Sequence, residues 1–160
     1  MYLSTKQTVT NRMQESIEKQ SFDECLKLVR RDGSNLAYVG TDLKTPEMCG
    51  EAVMGDGRAI RFVPREFVTM EMCKKAVASY GESLRDVPAE FANEEVRVLA
   101  IRESLYAFFY VPVEQLTEAM CEELVKHDGQ LIRHVPKAFR TAGVIERALQ
   151  EDPSAIVFLD

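Results

Sequence analysis

"TPEMCGEAVMGDGRAIRFVPREFV" at residues 45–68 runs without a gap into "TMEMCKKAVASYGESLRDVPAEFA" at residues 69–92. The two stretches share threonine at position 1, glutamate at 3, cysteine at 5, Ala-Val at 8 and 9, glycine at 13 and Val-Pro at 19 and 20. Internal repetition at a period of 20 to 50 residues marks a repeat architecture, so it is tested before any other feature. Working outward in steps of 24 gives further copies at 21–44, 93–116 and 117–140, and a partial one at 141–160. Residues 45–68 are therefore the second of six repeats.

Each column has a physical meaning. Column 1 holds Ser21, Thr45, Thr69, Asn93, Thr117 and Thr141, all of them helix N-cap residues. Ser21 with Glu24 has the capping-box spacing, and Pro46 stands at the first helical position. Acidic residues follow at column 3 (Asp23, Glu47, Glu71, Glu95), where the helix dipole favours them. Columns 4, 5, 8 and 9 are apolar or small, as in Met48, Cys49, Ala52 and Val53, which places one stripe on a helix.

Glycine at column 13 (Gly33, Gly57, Gly81, Gly129) is expected to end that helix in the left-handed conformation. Leu36, Ile60, Leu84, Phe108, Ile132 and Ile156 are expected to anchor a short second segment, which Val-Pro then breaks. An aromatic such as Phe67 returns toward the core.

A unit of about eleven helical residues and a short turn cannot bury its own apolar face, so neighbours must stack. The expected fold is all-α: a short α-solenoid of helix–turn–short-helix repeats over 21–160, preceded by an N-terminal cap helix at 1–20. The final "AIVFLD" is apolar where a polar cap is expected. It points to a removed helix, a partner, or self-association through the C-terminal end.

At this point the phrase A-V-x-x-x-G-x-x-[LI]-x-x-V-P-x-E-[LF], carried by "AVMGDGRAIRFVPREF" and "AVASYGESLRDVPAEF", resembles the repeats of the bacterial domain of unknown function 4116. The likeness covers residues 21 to 140 and, weakly, 141–160. It implies tandem helical repeats that serve protein interaction, and it supplies no catalytic residue. The fourth repeat departs from the pattern with Leu105 for glycine and Arg97 for cysteine. The sixth departs with Pro153 for glycine and Phe158-Leu159 for Val-Pro.

Composition narrows the function classes. A formal net charge of −6 opposes direct nucleic-acid binding and attraction to anionic membranes. No apolar run reaches the ~20 residues of a membrane span, and the start lacks a signal-peptide core. The default location is cytoplasmic, with signal-independent export into a host cell left open.

Cys25, Cys49, Cys73 and Cys121 recur at multiples of the repeat. Equivalent residues of stacked helices lie roughly 10 Å apart, beyond the ~7 Å that a disulfide spans. They read as small core hydrophobes. Cys121, His127 and His134 lack the paired spacing of a zinc site. No phosphate loop, zinc-protease or serine-elbow motif occurs. The expectation is no enzyme, no cofactor and no metal.

Two charged ladders and one aromatic break remain. Asp42, Glu66, Glu90 and Glu114 at column 22 meet column 3 as an acidic ridge, while Arg61, Arg85 and Arg133 at column 17 form a basic stripe. Solvation is the plain reading of both, and recognition of a partner is the functional one. In the fourth repeat, Tyr106 and Phe109 occupy columns that are mainly polar or arginine elsewhere, as interface anchors do. The expected function is a noncatalytic protein-binding module or adaptor. The alternative is a bacterial effector or inhibitor whose acidic ridge mimics nucleic acid.

Overall fold

The computed structural model describes residues 22–159, and every structural statement below concerns them. The expected cap helix at 1–20 and the Ser21 cap lie outside that range. The described fold is all helical: six α-helices alternate with 3₁₀ helices, in the period read from the sequence. The α-helices are α1 (Phe22–Arg31), α2 (Pro46–Gly55), α3 (Met70–Ser79), α4 (Glu94–Glu103), α5 (Glu118–His127) and α6 (Ala142–Glu151). No strand occurs among the described residues.

The column chemistry explains each boundary. Thr45, Asn93, Thr117 and Thr141 accept from the backbone N–H three residues on, at 3.0 to 3.4 Å, which satisfies donors that the first helical turn leaves open. Thr69 does the same for Met72 at 3.2 Å. The column 3 acids Asp23, Glu47, Glu71 and Glu95 lie in the first turns of α1 to α4.

The end of each helix differs from expectation. No described glycine has a positive φ. The helix stops instead at an extended residue, such as Asp56 (φ −144°), Asp128 (−165°) or Asp152 (−146°). That aspartate then caps a six-residue 3₁₀ helix by accepting from the N–H two residues on: Asp32 from Ser34, Asp56 from Arg58, Asp128 from Gln130 and Asp152 from Ser154, at 2.8 to 3.0 Å. The 3₁₀ helices span Gly33–Tyr38, Gly57–Phe62, Gly81–Asp86, Leu105–Tyr110, Gly129–His134 and Pro153–Phe158. Val-Pro or its equivalent ends each of the first five, and a three-residue 3₁₀ turn such as Arg65–Phe67 leads into the next cap.

Glycine is required for a different reason than backbone freedom. A Cβ on Gly33 would sit 2.2 Å from the Ala52 carbonyl oxygen, one on Gly81 2.4 Å from that of Ala100, and one on Gly129 2.1 Å from that of Ala148. Each partner is the column 8 alanine of the following repeat. The glycine lets the C-terminal turn of the next helix seat on the start of the 3₁₀ helix.

The described residues divide into two compact bodies, the first ending at Ala76 and the second beginning at Val77, within α3. In the first, α1 packs on α2, and Gly33–Tyr38 packs on Gly57–Phe62. Cys25, Leu36, Met48, Cys49, Ala52 and Val53 are completely buried there.

In the second body α4, α5 and α6 pack in succession. Gly81–Asp86 lies against Leu105–Tyr110, and Gly129–His134 against Pro153–Phe158. Val96, Ile101, Met120, Leu124, Val125 and Ile132 fill its core. Burying one such side chain is worth roughly 1.5–3 kcal/mol, so only stacked repeats accumulate enough to fold.

In α5 all four core columns (Met120, Cys121, Leu124, Val125) are fully buried, whereas in α6 Val144 and Ala148 are buried and Ile145 and Leu149 only half so. Columns 4 and 8 therefore face the preceding repeat, and columns 5 and 9 the following one. One column expectation is corrected by the same geometry. Ile156, read as an anchor, is 61% exposed, because no repeat follows it among the described residues. Phe67, Phe91 and Phe139 reach only half-burial.

Where the fourth repeat breaks the pattern, other side chains compensate. Arg97, in the cysteine column, stays half-buried and donates to the Gln115 side chain. Leu105 takes the glycine place, and column 8 of the next repeat holds Leu124 rather than alanine. There the His127 ring donates its Nε2–H to the Ile101 carbonyl at 2.6 Å.

Candidate protein-binding surface

The four cysteines are buried and free, as their column predicts. Burial pushes the thiols of Cys25 and Cys49 up, and that of Cys121 up to about 11. A reactive thiolate needs the opposite shift. His127 is bonded to the Ile101 carbonyl and His134 to the Arg133 side chain. No group of three or more metal-ligating side chains gathers among the described residues. No described helix is long and apolar enough to cross a membrane.

The exposed apolar residues of the second body are concentrated on its 3₁₀ layer. Tyr106 is 60% exposed, Phe109 53%, Tyr110 39%, and Val113 56%. They reach solvent because column 16 supplies the inward residue. Phe108, at 5%, is held in the core, so its neighbours Phe109 and Tyr106 project outward from the short helix.

A rule then organises the surface: the column 17 residue of one repeat touches the column 18 residue of the next. Tyr110 lies near enough to Arg85 to help it hold its proton. Phe109 meets His134 edge-on at 5.5 Å between ring centroids. Arg133 lies 5.7 Å from the centre of the Phe158 ring, within cation–π range. The result is a row in which arginines and rings alternate across four repeats of this body.

Lateral bonds fix the row. Tyr110 donates its hydroxyl to Glu82 at 3.5 Å, and Phe109 packs at right angles on Phe108 at 5.8 Å. Arg133 donates Nε–H to Nε2 of His134 at 3.1 Å, which places the histidine's own proton on Nδ1. Beneath them Arg140 donates to the carbonyls of Val135 at 2.9 Å and Phe158 at 2.5 Å, tying the last two rungs together. Coulombic attraction to Asp86, 3.5 Å away, strengthens the hold of Arg85 on its proton.

Arg61 and Glu66 belong to the first body and are exposed there. Glu90 and Glu114 are exposed in the second. The basic stripe is not continuous, since Phe109 separates Arg85 from Arg133 along column 17. Conversely, the sequence marks Phe158 only as part of the apolar C-terminal stretch and His134 only as an unsuitable zinc ligand. Their signal lay in the step from column 17 to column 18, which a column-by-column reading passes over.

Compared with protein-family models, curated proteins and solved structures, the chain finds no match in any of the three.

Proposed function

We propose that this chain is a noncatalytic protein-binding module, a bacterial cytoplasmic adaptor of the kind that its resemblance to domain of unknown function 4116 implies. The observation that carries the proposal is the exposed row of rings and arginines in the second body. Tyr106 and Phe109 stand more than half exposed on a regular helical layer. Burying them against a partner would gain what folding leaves unused, roughly 25 cal/mol for each Å² of apolar area removed from water. Tyrosine and arginine are also the residue types on which interface energy concentrates.

The test is affinity capture from the source cell with the wild-type chain and with Tyr106→Ala/Phe109→Ala. The expected outcome is one defined protein partner lost by the double variant, at an unfolding temperature within about 2 °C of wild type. That follows because exposed substitutions seldom move stability by more than ~0.5 kcal/mol. Phe108→Ala is the contrast, since truncating a buried phenylalanine costs about 3–5 kcal/mol. Equal recovery by wild type and double variant defeats the assignment of this surface. A large loss of stability in the double variant would assign the aromatics to packing instead.

A further inference from the structure

We infer that the row binds an extended, acidic segment of the partner protein, in a register of one contacting residue in every three. The inference rests on the protein-binding proposal above and adds the chemistry and conformation of the occupant. In the fourth repeat the row presents an apolar centre, Phe109 beside Tyr106, and the same column in the repeats on either side presents Arg85 and Arg133.

Adjacent packed helices lie roughly 8–10 Å apart. A polyproline helix advances about 3.1 Å per residue and returns a side chain to the same face every third residue, whereas a β-strand would present every second one. Three residues therefore bridge one repeat. A peptide carrying a carboxylate three residues before an apolar side chain, and another three residues after it, would set its apolar residue on Phe109 and its carboxylates on Arg85 and Arg133.

The two arginines are not equivalent. Arg85 already pairs with Asp86 at 3.5 Å, which meets part of its charge. Arg133 spends its Nε–H on the nitrogen of His134 and keeps its terminal amino groups for a carboxylate. Arg133 is the stronger anchor. An amphipathic helix fits less well, because it needs apolar contacts continued along a groove, whereas here charge flanks a single apolar repeat. Single-stranded nucleic acid, which also uses rings and arginines, carries a phosphate at every step and would set some of them against Glu82 and Asp86, whereas two spaced carboxylates need meet only Arg85 and Arg133.

The experiment is display panning of random twelve-residue peptides against the full chain, followed by fluorescence polarisation of the enriched peptides. A labelled oligothymidine is measured in parallel. Enriched sequences should carry Asp or Glu three residues from an aliphatic, aromatic or proline residue. Binding should weaken about tenfold in Arg133→Gln, by a smaller factor in Arg85→Gln, and progressively with added salt.

Apolar spacings of four and seven, enrichment without acidic residues, or tighter binding of the oligothymidine would each overturn the inference. If affinity capture finds a Phe109-dependent partner while the enriched peptides lack the three-residue register, the register falls and the protein-binding proposal stands. If enriched peptides bind Phe109→Ala as tightly as wild type, the surface assignment falls as well.

Discussion

At the scale of single residues, the glycine column shows how one backbone contact controls a repeat junction. Gly129→Ala forces a methyl carbon to 2.1 Å from the Ala148 carbonyl oxygen and 2.9 Å from the Asp152 nitrogen, both of them backbone atoms. The junction must open, and the expected cost is about 2–4 kcal/mol, in the range of overpacked cores and lost packing. Gly50→Ala is the internal control. Its new methyl would meet only the flexible end of Met72, at 3.6 Å, in the middle of α2. There alanine should stabilise by up to ~1 kcal/mol through helix propensity. Urea titration of the two variants checks both signs. The position of these glycines was legible in the sequence but their purpose was not. A glycine after a helix suggests a left-handed cap, and only the partner one repeat away reveals the close approach.

At the scale of elements, capping threonines, proline breaks and most core-column residues occupy the places that the 24-residue period assigns them. These features are local or strictly periodic, and local physics decides them. Contacts between columns of different repeats were harder to read, as with the Asp-capped 3₁₀ helices and the Phe109–His134 rung.

Glu123 is another such contact. It is 7% exposed on α5 and receives hydrogen bonds from Arg102 at 3.1 Å and Lys126 at 2.6 Å. Burial raises its pKa, but the hydrogen bonds and charges of Arg102 and Lys126 together outweigh that and leave it below the ordinary 4.5. A depressed carboxylate pKa contributes stability above the unfolded value, and the contribution disappears as pH falls through the folded value. Thermal unfolding should therefore show wild type losing stability as pH drops below about 4.5. Glu123→Gln should be less stable than wild type at neutral pH and converge with it once the pH has fallen through the lowered folded value. Parallel curves for the two proteins would show that Glu123 makes no such contribution.

At the scale of the whole molecule, regularity and function separate. Every repeat supplies capping, packing and turn residues, and those uses account for Cys49 and for the acids of column 3. What the period does not explain is concentrated where it breaks. The fourth repeat exchanges glycine for Leu105, places Arg97 in a core column, and turns Tyr106 and Phe109 outward. The sequence already marked Tyr106, Phe109, Arg85 and Arg133 individually. Their assembly with Tyr110, His134 and Phe158 depends on how one repeat seats on the next.

Amide hydrogen exchange of the full chain, alone and with the partner recovered by affinity capture, tests that assembly most directly. Exchange should slow on complex formation in the 3₁₀ segments Leu105–Tyr110 and Gly129–His134, with little change in α4 to α6. Protection confined to the helices, or to the acidic positions of columns 22 and 3, would place recognition elsewhere and contradict the row as the binding surface.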